Sequence, residues 1–407
     1  MPAFLRRPLP LALLIAAFAQ VLFSWRVTVP GKLVFDEVHY VPAARTLMAL
    51  AGPANTEHPL LGKLLIGIGI ALFGDGPLGW RALSTVAGTA VVAGVFALLW
   101  LGTRQLRAAA VGSAIVVLNF TVFVQARIAM LDGFMAAFVV WGAVCLLWAM
   151  RGQSAWGRWT AGAVLLGLAT ACKWAAAPYV AFAGIAFLLL RKPARWEGLA
   201  PFPALAVLGG VSVAAYALTF LPAFFYADQA LGWRTLLPFQ VEMYARQAQV
   251  LPTHPYESDW WSWPLDLRPI WYLYEFVDGA QRGILLLGNP AVMWAGMLAV
   301  AACAWGWLRT RDVRLGTAAG LWLASVLIWA AIPKSLGFFY YYYLPSIWLG
   351  IVLPVAFAHW QARLRYWDEL FLVAAAGLFI HFYPILAAAP LAGPQGFMRW
   401  MWLSTWP

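Results

Sequence analysis

Residues 60–73, LLGKLLIGIGIALF, decide how this chain is threaded. At about 1.5 Å of rise per residue the stretch falls short of a hydrocarbon core roughly 30 Å thick, and Lys63 lies inside it. It is either a short span or a surface helix. On either side, apolar runs long enough to cross occupy 8–25, 80–101, 109–125, 131–150, 160–172, 174–190, 199–226, 284–308, 315–332, 338–358 and 369–388, eleven in all. Charge arbitrates. If 60–73 does not cross and the N-terminus is cytoplasmic, the cytoplasmic segments are the N-terminus, 102–108, 151–159, 191–198, 309–314 and 359–368. They hold 14 Lys or Arg and, with Glu369 at the border, 4 acids, net +10; the other side holds 13 basic and 12 acidic residues, net +1. That asymmetry is the positive-inside pattern. A crossing at 60–73 would put the Arg-rich loops outside, so it is read as a surface helix.

The composition belongs with that reading. The chain has 407 residues, 63% hydrophobic and 11% charged, with 25 Trp and a mean hydropathy of +0.76. A polytopic, all-α membrane domain over 1–407 is expected, not a soluble enzyme with an anchor. The N-terminal MPAFLRRPLPLALLIAAFAQVLF has the basic start and apolar run of a signal peptide. No small-residue cleavage site follows, so it reads as a retained first span. Cys145, Cys172 and Cys303 fall in apolar segments without metal or disulfide spacing and read as packing residues. The net charge of +11 is explained by the loop asymmetry, so membrane lipids and no nucleic acid are the implied partners.

Most acids lie on the outer face, with both long loops, 26–79 and 227–283. The first carries VFDEVHYVPAARTLMAL at 34–50. Its adjacent carboxylates, Asp36 and Glu37, follow the first span, and Val38, Val41, Ala44, Leu47 and Met48 continue at helical spacing. The acids open a short amphipathic helix on the membrane surface, where acids at a helix start are favoured. Two readings of Asp36 stand side by side: a helix cap, or chemistry. The same face collects His39, Glu57, His58, Lys63, Arg81, Arg127, Asp132, Lys173, His254, Asp259, Arg268 and Lys334. Snorkelling accounts for a lone Lys173 or Arg81. It does not account for adjacent acids, or for Arg127 and Asp132 bracketing a tight turn. Cations that neutralise a phosphate and a carboxylate that takes a proton suit a lipid-phosphate substrate.

FDEVHY (35–40), EHPLLGK (57–63), ARIAMLD (126–132), GLATACKW (167–174), HPYESDWWSWPLDLRPIWY (254–272), LLGNP (286–290) and KSLGFFYYYYLPS (334–346) stand in that order. Together they resemble the protein O-mannosyltransferase family, above all its bacterial members, over most of the chain. The family belongs to the GT-C type of membrane glycosyltransferases, and its first loop is similar to that of the lipid A aminoarabinose transferases, where surface helices follow the acid motif. The resemblance implies a GT-C fold of about 11 transmembrane helices with juxtamembrane helices in the first outer loop. It further implies a polyprenyl-phosphate mannose donor and transfer to Ser or Thr of an unfolded or translocating secreted protein, at the periplasmic face of a bacterial inner membrane. Two departures stand out. Loop 227–283 is too short for the MIR domain of eukaryotic relatives, and the common HPPLGK is here HPLLGK, with Leu60 in place of a second proline.

On this resemblance Asp36 is the general base. A serine or threonine hydroxyl attacking an anomeric carbon must lose its proton, whereas a polyprenyl phosphate leaves as an anion without protonation. One carboxylate therefore suffices, unlike the paired acids of glycoside hydrolases, and displacement is direct with inversion. Glu37 positions the acceptor or a cation. Arg81 is the first choice for the donor phosphate, with Arg127, Lys63 and His58 behind it, and Asp132 and Lys173 support the site. His254, Tyr256, Asp259 and Trp260 form a lid over the acceptor; on composition alone they would be an aromatic membrane belt. No resident cofactor and no metal site is expected, although an all-oxygen Mg²⁺ or Mn²⁺ site stays open. A transporter would place charges at mid-membrane in two related halves, and a transferase acting on a lipid or glycan is the rival within the same enzyme class.

Overall fold

Backbone amides in lipid must find partners within their own segment, so apolar runs of this kind become helices. The computed structural model describes residues 7–151, 155–191, 198–250, 252–332, 334–362 and 366–407. The loop residues 152–154, 192–197 and 363–365, together with Arg6, carry part of the basic charge counted above and lie outside the described residues. Chain order runs α1 (Pro8–Ser24), α2 (Glu37–Met48), α3 (Leu61–Phe73), α4 (Pro77–Thr103), α5 (Leu106–Val117), α6 (Phe120–Gln125), α7 (Leu131–Ala149), α8 (Ala155–Cys172), α9 (Ala177–Leu190), α10 (Pro201–Leu218) and α11 (Leu236–Gln247). Strands β1 (Ile270–Val277) and β2 (Ala280–Leu286) follow, then α12 (Pro290–Thr310), α13 (Val313–Leu327), α14 (Tyr343–Trp360) and α15 (Trp367–Leu386). Among the described residues seven helical segments are long and apolar enough to cross a membrane, those built on α4, α7, α10, α12, α13, α14 and α15; α1, α3, α5 and α9 are shorter apolar helices.

Two expectations are corrected. The run 109–125 is not one helix: it breaks at Asn119, whose Oδ1 accepts the Thr121 N–H at 3.2 Å and starts α6. The run 284–308 starts late, at Pro290, because residues 284–286 belong to a strand. That strand belongs to a hairpin, for which the sequence reading of the outer loop 227–283 assigned no element. β1 and β2 pair antiparallel from Ile270↔Leu286 to Val277↔Ala280, and the two residues between them, Asp278 and Gly279, both have positive φ, 50° and 72°. Such a pair is what a tight hairpin turn requires.

The chain divides into two compact units. One comprises the residues up to Phe35, Val95–Arg127 and Val250 onward. Its core is the packing of α12, α13 and α14, with α5 against α14 and β2 against α15. Asn289 is a buried polar group paired within the unit. Asn289 caps α12 through Ala291 N–H and donates to the Leu118 and Ala375 carbonyls at 3.0 Å each, which gives LLGNP a structural reason. The other unit comprises Asp36–Gly94 and Ile128–Gln249. Here α8 packs on α7 and α10 through small residues: a Cβ on Gly167 would fall 2.3 Å from the Ser212 carbonyl oxygen. Lipid supplies no hydrophobic drive between helices, so close backbone approach does the work. Beyond the spans the hydrophobic effect returns. Leu47 of α2, Leu60, Phe220, Ala223 and Met243 of α11 form a buried cluster, each large side chain contributing about 1.5–3 kcal/mol. It fixes α2 and α11 to the head of this unit, where the candidate site lies.

Candidate active site

The site grows from the acid pair. Asp36 stands at the N-terminal boundary of α2, yet its carboxylate makes no capping bond to the helix. The cap reading of Asp36 is therefore not realised. Its Oδ2 instead accepts the Tyr40 hydroxyl at 3.1 Å, one turn along the same helix, where residues four apart are neighbours. Burial pushes the Asp36 carboxyl above its ordinary range; Lys173 and the Tyr40 bond pull it back, Asp132 pushes it further up, and His39 pulls it down.

Glu37 is placed quite differently. Its Oε1 accepts from Arg81 Nε at 2.8 Å and from the Ala129 N–H at 2.8 Å, and its Oε2 accepts from Arg81 Nη2 at 2.7 Å. Both side chains are fully buried. A desolvated carboxylate of this kind needs a bidentate cation and further donors, and it has both. Of the two readings of Glu37, an acceptor or a cation, the contact present is to a cation, Arg81. Arg81 is corrected as the exposed phosphate clamp, because its fork is spent on Glu37; interface snorkelling fails for it too.

Lys173 follows the same pattern. Its ammonium meets both oxygens of Asp132 at 3.0 and 2.9 Å, with both side chains nearly buried. Asp132 sits in the first turn of α7, where the helix dipole favours an acid. Snorkelling is excluded here as well. With Glu37 and Asp132 each matched by a cation, Asp36 is the acid of this group that no cation pairs among the described residues.

The remaining phosphate candidates also find protein partners. Lys63 is buried in α3 and donates to the carbonyls of Ala54, Asn55 and His58 at 3.0, 2.6 and 2.8 Å. Burial pushes its amine down to about 7, with Glu57 opposing, while three carbonyl acceptors call for all three ammonium hydrogens. It clasps the 54–58 loop. Arg127, in the other unit, donates to the carbonyls of Phe23 and Trp25 at 2.9 and 2.6 Å and caps the C-terminal end of α1, whose last carbonyls lack helical partners. His58 faces Gln247 of α11, Nδ1 to Nε2 at 3.0 Å, and the edge of the Tyr40 ring at 5.8 Å between centroids.

The aromatic stretch is a folded platform rather than a loose lid. His254 Nδ1 accepts the Tyr256 N–H at 3.1 Å. Arg268 stacks 5.4 Å from the Tyr256 ring centroid and donates to the Pro255 carbonyl. The exposed Asp259 accepts Ser262 through its carbonyl, and Trp260 is half-buried. Ser258 N–H reaches Gly337 at 2.8 Å, joining this motif to KSLGFFYYYYLPS. All of these contacts lie within the unit that begins again at Val250. Sequence reasoning missed Tyr40, although its position four residues after Asp36 was the available signal, and it missed Gln247.

Comparison with known proteins bears on what this arrangement is. The chain is similar to the S. cerevisiae protein O-mannosyltransferase Pmt1-Pmt2 complex bound to the sugar donor, with a TM-score of 0.83 and 14% identity over 98% of this chain and 92% of that one. It is also similar to ArnT from Cupriavidus metallidurans bound to undecaprenyl phosphate, with a TM-score of 0.58 and 16% identity over 92% of this chain and 65% of that one. These likenesses show the fold, a helical membrane bundle of the kind found in both neighbours. Residues 76–231 match the dolichyl-phosphate-mannose-protein mannosyltransferase family and residues 232–406 match the C-terminal four TMM region of protein-O-mannosyltransferase. The polyprenol-phosphate-mannose–protein mannosyltransferase of Mycobacterium tuberculosis is 28% identical over 97% of this chain and 90% of its own length. That of Mycolicibacterium smegmatis is 29% identical over 96% and 91%. The chain belongs to the protein O-mannosyltransferase family.

Proposed function

We propose that this protein transfers mannose from a polyprenyl-phosphate mannose donor to Ser or Thr hydroxyls of unfolded or translocating secreted proteins, at the periplasmic face of a bacterial inner membrane. The observation that carries the chemistry is Asp36: a carboxylate held by Tyr40 and, among the described residues, paired to no cation, beside two acids that are neutralised. Asp36 takes the acceptor proton as the acceptor oxygen bonds to the anomeric carbon from one face. The bond to the phosphate oxygen breaks on the other, its electron pair leaves with the polyprenyl phosphate, and configuration inverts. The neighbouring His39, exposed on α2, is the group that would meet the phosphate charge. No cofactor beyond the donor enters these steps. In the proposed topology eleven segments cross, while α2 and the 13-residue α3 lie on the outer surface.

The test is transfer from polyprenyl-phosphate mannose to an unstructured Ser/Thr-rich peptide by the purified, reconstituted protein, with Asp36→Asn as the control. Transfer by the parent and none by a folded Asp36→Asn supports the proposal. A parent that mannosylates only lipid or glycan acceptors would overturn the choice of acceptor, and an active Asp36→Asn would overturn the mechanism.

A further inference from the structure

Helix α11 is divided into three sectors. Leu236, Phe239 and Met243 pack on the cluster at the head of their unit, and Gln240 and Gln247 on the same flank reach Tyr216 Oη and the His58 ring. Glu242 and Arg246 form an exposed ion pair on the far flank. Between these sectors Leu237, Val241 and Tyr244 are 74%, 68% and 57% exposed, and Trp233, four residues before Leu237, is 79% exposed. Spacings of four and three make Leu237, Val241 and Tyr244 one apolar stripe on the helix, and Trp233 stands in the turn that leads into it. A stripe of this size on an outer-loop helix is costly unless something apolar covers it.

We propose that the cover is the membrane itself: α11 is an interfacial helix whose Leu237, Val241 and Tyr244 stripe, with Trp233 leading into it, lies in the headgroup and acyl boundary of the leaflet at the C-terminal end of α10. Three observations select lipid over a protein partner. The stripe continues the apolar surface at the end of the α10 span, long and apolar enough to cross a membrane, where Leu218, Leu221 and Phe225 are 61%, 44% and 72% exposed. The start of α11 is tied to that end: the Leu231 N–H donates to the Ala223 carbonyl at 2.9 Å, and the Trp233 ring packs on Phe224 at 4.9 Å. The stripe is also bounded by Trp233 and Tyr244, aromatic types that favour the boundary, with the exposed Arg234 beside Trp233 for lipid phosphates. Because Gln247 bonds to His58 Nδ1 at 3.0 Å, the seating of α11 in lipid bears on the loop beside Tyr40.

The experiment places an environment-sensitive fluorophore on a cysteine at Leu237, Val241 or Tyr244, and separately at Glu242, in the full-length protein. The native cysteines lie within membrane helices, and a chain without added cysteine sets the background. Each sample is reconstituted in phosphatidylethanolamine and phosphatidylglycerol vesicles containing lipids spin-labelled near the headgroup end of the acyl chain. Seating at about 5–10 Å depth predicts blue-shifted emission at Leu237, Val241 and Tyr244, most of it lost on adding the spin label, and little change at Glu242. Quenching at the three stripe positions no greater than at Glu242 would overturn the proposal. Blue-shifted emission that the spin-labelled lipid leaves intact would overturn it equally, because a protein surface would then be the cover.

Discussion

Replacing Arg81 by alanine should unfold the protein before it informs on catalysis. Glu37 and Arg81 are both fully buried, joined by two hydrogen bonds of 2.8 and 2.7 Å. Removing one partner of a buried pair leaves an uncompensated charge and costs about 3–5 kcal/mol. Arg81→Ala leaves the Glu37 carboxylate with the Ala129 N–H from the 126–132 turn. Glu37→Leu leaves a guanidinium where water cannot reach it. The double variant Glu37→Leu/Arg81→Leu removes both charges and keeps roughly the volume; it leaves the Ala129 N–H without its Glu37 acceptor, about 1–3 kcal/mol. The double variant should therefore be more stable than Arg81→Ala alone, a sign that a donor-phosphate role for Arg81 does not predict. Unfolding midpoints in mixed micelles titrated with sodium dodecyl sulfate measure the cycle, and mannosyl transfer is assayed on the same preparations. Arg81→Ala with the parent's midpoint and severely reduced turnover would refute the reasoning, because Arg81 would then be acting on substrate and not on Glu37.

Three further outcomes follow from the geometry. Turnover should rise with pH through the elevated Asp36 titration, since a base works only when deprotonated; Tyr40→Phe removes a bond that favours the ionised form, so the rising limb of kcat/KM should move to higher pH with the unfolding midpoint little changed. An unshifted limb would take Tyr40 out of the site. Lys63→Met should free the 54–58 loop, at about 1–3 kcal/mol for each of its carbonyls that stays buried without a donor, and limited proteolysis within 54–58 is the readout. For topology, cysteine at Gly76 and at Gly102 probes the two ends of α4, and at both a Cβ meets nothing within 4 Å. Impermeant thiol reagent should label the first in intact cells and the second only after permeabilisation. Gly69 is unsuited to such a test because a Cβ there would lie 2.4 Å from the Gly79 carbonyl oxygen.

The helices were legible because lipid leaves the backbone few options: an apolar run of sufficient length closes its own hydrogen bonds, so length alone places α4, α7, α12 and α14. The start of α2 was legible for a similar reason, since adjacent acids followed by apolar residues at helical spacing define both a boundary and a face. The partners of the charges were not. Arg81 lies 44 residues from Glu37 and Lys173 lies 41 from Asp132, and one sequence records which charges exist without recording which meet. A lone cation at a span end reads as a snorkeller or as a ligand for substrate; a third possibility, an internal counter-ion, appears only when the helices pack. That explains why four phosphate candidates proved to hold protein groups instead: Arg81 a carboxylate, Arg127 a helix end, Lys63 a loop, His58 a glutamine. The hairpin was a different kind of miss. Asp278-Gly279 between alternating residues is a strong turn signal, and it went unread because loop 227–283 was weighed by composition and motif alone. Asp36 drew notice in the sequence as one of two adjacent acids that open a helix after the first span; that its neighbours Glu37 and Asp132 are matched by cations while Asp36 itself is held by Tyr40 emerged only from the packing of the helices.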